Sequence, residues 1–122
     1  MVCNFKVENL KFIFFFQVGD DDVKKVLNCK EKHKYQEMLD YRWFSRHVSD
    51  NDSPCFTVKM FENLNLVKTW KMNKKTLIRF TLFVKKGYRN NAYHNWSHAF
   101  SVAHFAYYLM AHIKLVETCA IT

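Results

Sequence analysis

Apolar residues recur at helical spacing through the second half of the chain, and the polar breaks between them spell helix, connector, helix, connector, helix. Ser49-Asp50-Asn51-Asp52-Ser53-Pro54 is the clearest loop. After it a helix is predicted from about Phe56 to Leu66, with Phe56, Met60, Phe61 and Leu64 on one side. Asn73 is placed to cap a second helix through Leu77, Phe80, Phe83 and Val84, with Lys85 and Lys86 in its last turn and Gly87 as a C-terminal glycine. A last helix follows Asn90-Asn91 and carries Ala99, Val102, Ala103, Ala106, Leu109, Met110 and Ile113 as its expected core stripe. Upstream, Asp20 to Asp22 would cap a short helix continuing through Val23, Val26 and Leu27. Residues 30–47 place Tyr35, Met38, Leu39, Trp43 and Phe44 at spacings that permit a helix without forcing one. The fold class expected is all-α.

Composition narrows this picture. The 122 residues allow one domain, and 49% hydrophobic content can build a core. Gly19 and Gly87 are the two glycines, which excludes a glycine-rich phosphate loop or a dinucleotide fingerprint. Pro54 is the one proline, so a turn-rich sandwich is disfavoured as well. Phe12-Ile13-Phe14-Phe15-Phe16 is too short to cross a bilayer, and no cleavage pattern precedes Asp20, so a buried strand or helix segment is expected there. Residues 1–19 are left unassigned, a start foreign to the domain being one reading.

Cys3, Cys29, Cys55 and Cys119 contain no CxxC pair, which removes zinc-ribbon and thioredoxin readings and points to reduced thiols in the cytoplasm. The formal charge of +8 is concentrated: Lys59 to Arg89 holds nine bases and one acid, while the rest of the chain balances. Such a stripe could draw nucleic acid, an anionic membrane or a phosphorylated substrate, but a solvated helix face is the preferred reading and no nucleic-acid partner is expected.

One segment departs from ordinary packing: Tyr93-His94-Asn95-Trp96-Ser97-His98-Ala99-Phe100. His94 and His98 are four apart and share a side of a helix or of its first turn, where two imidazoles can hold a metal or divide metal and proton duties. Asn95 stands where a zinc-protease HExxH needs its glutamate, so that chemistry is excluded. His104 and His112 are assigned to packing or solvent, His33 and His47 receive no role, and Trp96 is read as a packing residue at the helix start.

The run Arg79-Phe80-Thr81-Leu82-Phe83-Val84-Lys85-Lys86-Gly87-Tyr88-Arg89, together with residues 93–102, closely resembles the class I cyclic-nucleotide phosphodiesterases, helical HD-type metal hydrolases. The branch it most resembles is the cGMP-stimulated one with GAF domains. Good resemblance spans about residues 53–109, and residues 20–122 are expected to be part of a catalytic domain. The resemblance implies that His94 donates a proton to the departing O3′, that His98 ligates one of two divalent metals (zinc with magnesium or manganese), and that Tyr93 lines the nucleotide pocket with His94. It also implies a His-Asp pair, a further aspartate, and a glutamine and phenylalanine that grip cAMP or cGMP; none of these matches a residue before Thr122. The expectation is therefore an N-terminal, truncated portion, inactive alone, with apolar faces open to association. Self-association or pairing with a full-length enzyme is the partner expectation. A non-catalytic helical interaction protein, and more remotely a basic nucleic-acid binder, remain the competing readings.

Overall fold

The computed structural model describes residues 18–29, 32–40 and 45–113. The expectation for Phe12–Phe16 and those for Cys3, Cys119, Trp43 and Phe44 lie outside them. Among the described residues the fold is all-helical: α1 (Asp20–Leu27), two 3-10 segments (Lys32–Leu39 and Ser45–His47), α2 (Ser53–Asn63), α3 (Leu66–Thr69), α4 (Lys74–Gly87) and α5 (Trp96–His112).

Helix α2 is the centre of the arrangement, packing against α1, α3, α4 and α5. Its two sides serve two cores. Val58 joins Val18, Val23, Leu77 and Ile78 between α1, α2 and α4, with Phe61 packed against that cluster. Phe56 and Met60 join Met38, Phe100 and Tyr107 between α2, α5 and the first 3-10 segment, with Leu64 alongside. The single apolar side predicted for this helix is thus corrected: Phe61 belongs with Val58, away from Phe56, Met60 and Leu64. Residues 60 and 61 are adjacent and point about 100° apart, so a helix with neighbours on both flanks sends them to different cores.

The bounds of α2 also move about three residues toward the N-terminus. The expected loop is a tight turn: the Ser53 N–H donates to the Ser49 carbonyl at 2.9 Å, and the Ser49 hydroxyl donates to the Asp52 carboxylate at 2.9 Å. Pro54 then occupies the first turn, where its missing N–H costs nothing. At the other end Asn65 takes a left-handed backbone (φ 61°), which stops α2 before Leu66. Asparagine tolerates that conformation better than other non-glycine residues.

The caps divide between expectation and correction. Asn73 does cap α4, its side chain accepting the Thr76 N–H at 3.1 Å. Gly87, by contrast, is the last helical residue without a positive φ, and Tyr88 caps the helix in an extended conformation. In α1 the cap position falls on Gly19, and Asp22 reaches back to accept the Gly19 N–H at 3.3 Å. The three aspartates occupy the first turn, where the helix dipole favours them.

The basic stripe is a charged surface with structural tasks. Glu62 pairs with Lys74 at 3.0 Å and Lys59 at 3.7 Å, and Arg79 bridges to Asp20 and donates to the Val18 carbonyl at 2.8 Å. Lys85 donates to the Asp50 carbonyl.

Helix α5 carries the largest correction. Its buried side is Trp96, Phe100, His104 and Tyr107. Of the expected core stripe, Val102 is 56% exposed and Ile113 55%, with Leu109 also open. Phe80 on α4 is likewise half exposed. Three of these four carry polar atoms, and each finds a partner there: Trp96 on Ser53, His104 on Met38, and Tyr107 on Asn63. The neighbours of α5 sit on that side, so the purely aliphatic stripe is left uncovered.

Candidate catalytic cluster at the start of the last helix

The aromatic and imidazole side chains of residues 93–98 converge where the connector enters α5. His94 lies in the bend before the helix and His98 in its first turn, and their ring centroids are 5.6 Å apart with the planes nearly perpendicular. Tyr93 packs on both, at 4.8 Å from His94 and 5.4 Å from His98. All three are exposed, Tyr93 to 71%. The three residues singled out by sequence are therefore brought together on one open surface.

Buried polar contacts hold that surface in place. Trp96, the first residue of α5, donates its indole N–H to the Ser53 hydroxyl at 2.7 Å, and Ser53 in turn donates to the Asp50 carbonyl at 3.1 Å. Tyr88 packs edge-on against the Trp96 ring at 6.0 Å. The start of α5 is thereby tied to the start of α2 through a buried hydrogen bond, which costs more to break than it contributes net.

Asn95 caps α5. Its side-chain oxygen accepts the His98 N–H at 2.9 Å, and its amide donates to the Asn91 carbonyl at 3.1 Å. One side chain thus orders the bend holding His94 and fixes the backbone of His98. Sequence reasoning used Asn95 to exclude a protease motif and passed over this role, although an asparagine immediately before a helical run is itself a capping signal. Replacing Asn95 by alanine is expected to destabilise the chain by about 1 kcal/mol, a typical cap loss. Urea denaturation measures it, and the midpoint should fall with no change in slope.

The other helix histidines also have work that spacing alone did not reveal. His104 is buried and its Nε2 donates to the Met38 carbonyl at 2.9 Å; His112 makes the same kind of bond to the Leu39 carbonyl at 2.9 Å. Together with Ser45 and Ser101, whose hydroxyls meet at 2.7 Å, they fasten the 3-10 segments onto α5. Burial pushes the His104 imidazole below its ordinary range, with the bond to Met38 acting weakly in the other direction. The folded state therefore resists a proton that the unfolded chain accepts near pH 6.5. Stability should be level above that pH and fall as the pH drops through it, by at most about 1.4 kcal/mol per unit for one proton. Thermal melts between pH ~7.5 and ~5.5 check this. His104→Gln, which keeps a donor and cannot charge, should flatten the dependence.

The stretch is similar to known proteins. The chain is 36% identical over 84 residues to a probable 3′,5′-cyclic phosphodiesterase of Caenorhabditis elegans, covering 69% of this chain and 11% of the relative. Over this stretch the chain is homologous to named cyclic-nucleotide phosphodiesterases. A dual 3′,5′-cyclic-AMP and -GMP phosphodiesterase of Drosophila melanogaster is 37% identical over 71 residues, 58% of this chain and 5% of the relative. The cone cGMP-specific 3′,5′-cyclic phosphodiesterase subunit alpha′ of Gallus gallus is 28% identical over 101 residues, 73% of this chain and 12% of the relative. No family model matches the chain. The chain spans about an eighth or less of the length of these phosphodiesterase relatives.

The described residues do not by themselves make a metal centre. No group of three or more His, Cys, Asp or Glu side chains among them could hold an ion, whereas a catalytic zinc takes about three protein ligands. No helix among the described residues is long and apolar enough to cross a membrane.

Proposed function

We propose that this chain carries the proton-donor corner of a cyclic-nucleotide phosphodiesterase catalytic domain, hydrolysing a 3′,5′-cyclic nucleotide to the 5′-nucleotide in signal transduction. The observation that carries the reading is the convergence of Tyr93, His94 and His98 on the capped first turn of α5. The homology to named phosphodiesterases supplies the reaction class. In that reaction water adds to the ring phosphorus and the P–O3′ bond breaks. The departing alkoxide is far more basic than water at neutral pH and leaves readily only as it gains a proton. An imidazolium within hydrogen-bond reach of the departing oxygen can surrender its proton in the transition state, and that is the role proposed for His94. Tyr93 forms a wall of the nucleotide pocket beside it.

His98 is proposed as one ligand of the two-ion site (zinc with magnesium or manganese) that the resemblance implies, the other ligands belonging to polypeptide outside the described residues. The motif over residues 79–102 favours the cGMP-stimulated, GAF-containing branch. The test is a chimaera in which residues 53–109 replace the matching segment of the Caenorhabditis elegans relative. Conversion of cyclic AMP or cyclic GMP to the 5′-nucleotide supports the reading, and a folded chimaera with no hydrolysis contradicts it.

The uncovered side of α5 favours a second reading. Val102, Phe105, Leu109 and Ile113 form a continuous exposed apolar stripe on that helix, of the kind that marks association surfaces. On this reading the chain is a helical partner of a complete phosphodiesterase. Co-purification with such an enzyme, without hydrolysis by the chain alone, would favour it.

A further inference from the structure

We propose that Cys29 and Cys55 form a dithiol modification site that a peroxide oxidises to an intramolecular disulfide. Cys29 follows the end of α1 and Cys55 sits in the first turn of α2. The same carbonyl gathers them: the Cys29 backbone N–H donates to the Val26 oxygen at 3.3 Å, and the Cys55 thiol donates to it at 3.6 Å. Cys29 is near enough to Cys55 to help push its thiol up, and Tyr35 stands beside both cysteines. Both are free, and both are buried to more than nine-tenths. They are nonetheless reachable, because Cys29 and Cys55 both line an open cavity of about 1000 Å³ between α1, the start of α2 and the end of α4. Neither sulfur has any part in the cluster at residues 93–98, so the site stands whatever the chain's reaction.

The chemistry balances with the peroxide as sole oxidant. Burial, and after it the neighbouring Cys29, push the Cys55 thiol up, which disfavours Cys55 as the first nucleophile because the thiolate is the attacking form. The Cys29 thiolate breaks the O–O bond of hydrogen peroxide and becomes a sulfenic acid, releasing one water after protonation. The Cys55 sulfur then displaces the sulfenic hydroxyl, giving its proton to the departing oxygen as a second water. Two thiols are oxidised by two electrons and one peroxide is reduced to two waters. The bond joins the segment after α1 to the turn whose Ser53 holds Trp96, so it braces the anchor of the cluster's helix.

A variant of the full chain with Cys3→Ser and Cys119→Ser leaves this pair as the only thiols. It would be treated with hydrogen peroxide, alkylated after denaturation, digested with trypsin and weighed. The expected product is one cross-linked peptide joining residues 26–30 to residues 47–59. Both thiols should disappear together, reappear with dithiothreitol, and do so to the same extent after tenfold dilution. Repeating the oxidation in guanidinium chloride should lower the yield at least tenfold. Full alkylation of both cysteines after peroxide, sulfinic acid on one of them alone, cross-links confined to pairs of chains, or equal yield from the unfolded chain would each overturn the proposal.

Discussion

Replacing His94 by alanine lowers hydrolysis of a 3′,5′-cyclic nucleotide by about 10²–10⁴-fold, the usual contribution of a positioned general acid. The measurement uses the chimaera with the Caenorhabditis elegans relative, compared with the same chimaera unsubstituted. The expected loss lies in the chemical step, so kcat and kcat/KM fall together while KM changes little. His94 is exposed and touches Tyr93 and His98 through ring contacts only, so the fold should survive its removal, and an unchanged melt is the control. His98→Ala is expected to be at least as damaging, because on the proposed reading it removes a metal ligand rather than a proton.

The second large effect is structural. Phe56→Ala should destabilise the chain by about 3–5 kcal/mol, the cost of emptying a buried aromatic site. Phe56 is 1% exposed, meets Tyr35 edge-on at 4.9 Å, and lies among Met38, Met60, Phe100 and Tyr107. A cavity there opens between α2 and α5, the two helices that Ser53 and Trp96 also join. Since whole domains are stable by only about 5–15 kcal/mol, a loss of this size approaches unfolding. Urea denaturation measures it directly. Phe80→Ala, at a half-exposed position on α4, should cost far less in the same experiment.

The contrast between Phe56 and Phe80 shows what could be read from the chain. Both stand at helical spacing in apolar runs, and periodicity cannot say which side of a helix its neighbours will cover. On α5 it favoured the aliphatic Val102, Leu109 and Ile113. The packed side instead uses Trp96, expected to pack at the helix start, together with Phe100, His104 and Tyr107. The polar atoms of His104 and Tyr107 hide their core role from a hydrophobic pattern. Burial of Trp96, His104 and Tyr107 becomes favourable only once Ser53, the Met38 carbonyl and Asn63 stand opposite, and those partners are 43 to 66 residues away in sequence. Two of those segments were ambiguous or read as loop: residues 30–47 and Ser49–Pro54. Local signals fared better. Asn73 as a cap and the position of α4 follow from neighbours within a turn, as does the meeting of His94 with His98. The Asn95 cap is equally local, made to an N–H three residues further along.

The most direct test of the central claim, that His94 supplies a proton to the leaving oxygen, is a comparison of two leaving groups. The cyclic nucleotide expels an alkoxide that needs a proton; a nitrophenyl ester of a 5′-nucleotide expels a stable phenolate that does not. In the chimaera, His94→Ala should lose about 10²–10⁴-fold on the cyclic nucleotide and less than about tenfold on the nitrophenyl ester, while His98→Ala loses activity on both. Equal losses from His94→Ala on the two substrates, or no loss on the cyclic nucleotide, would contradict the account.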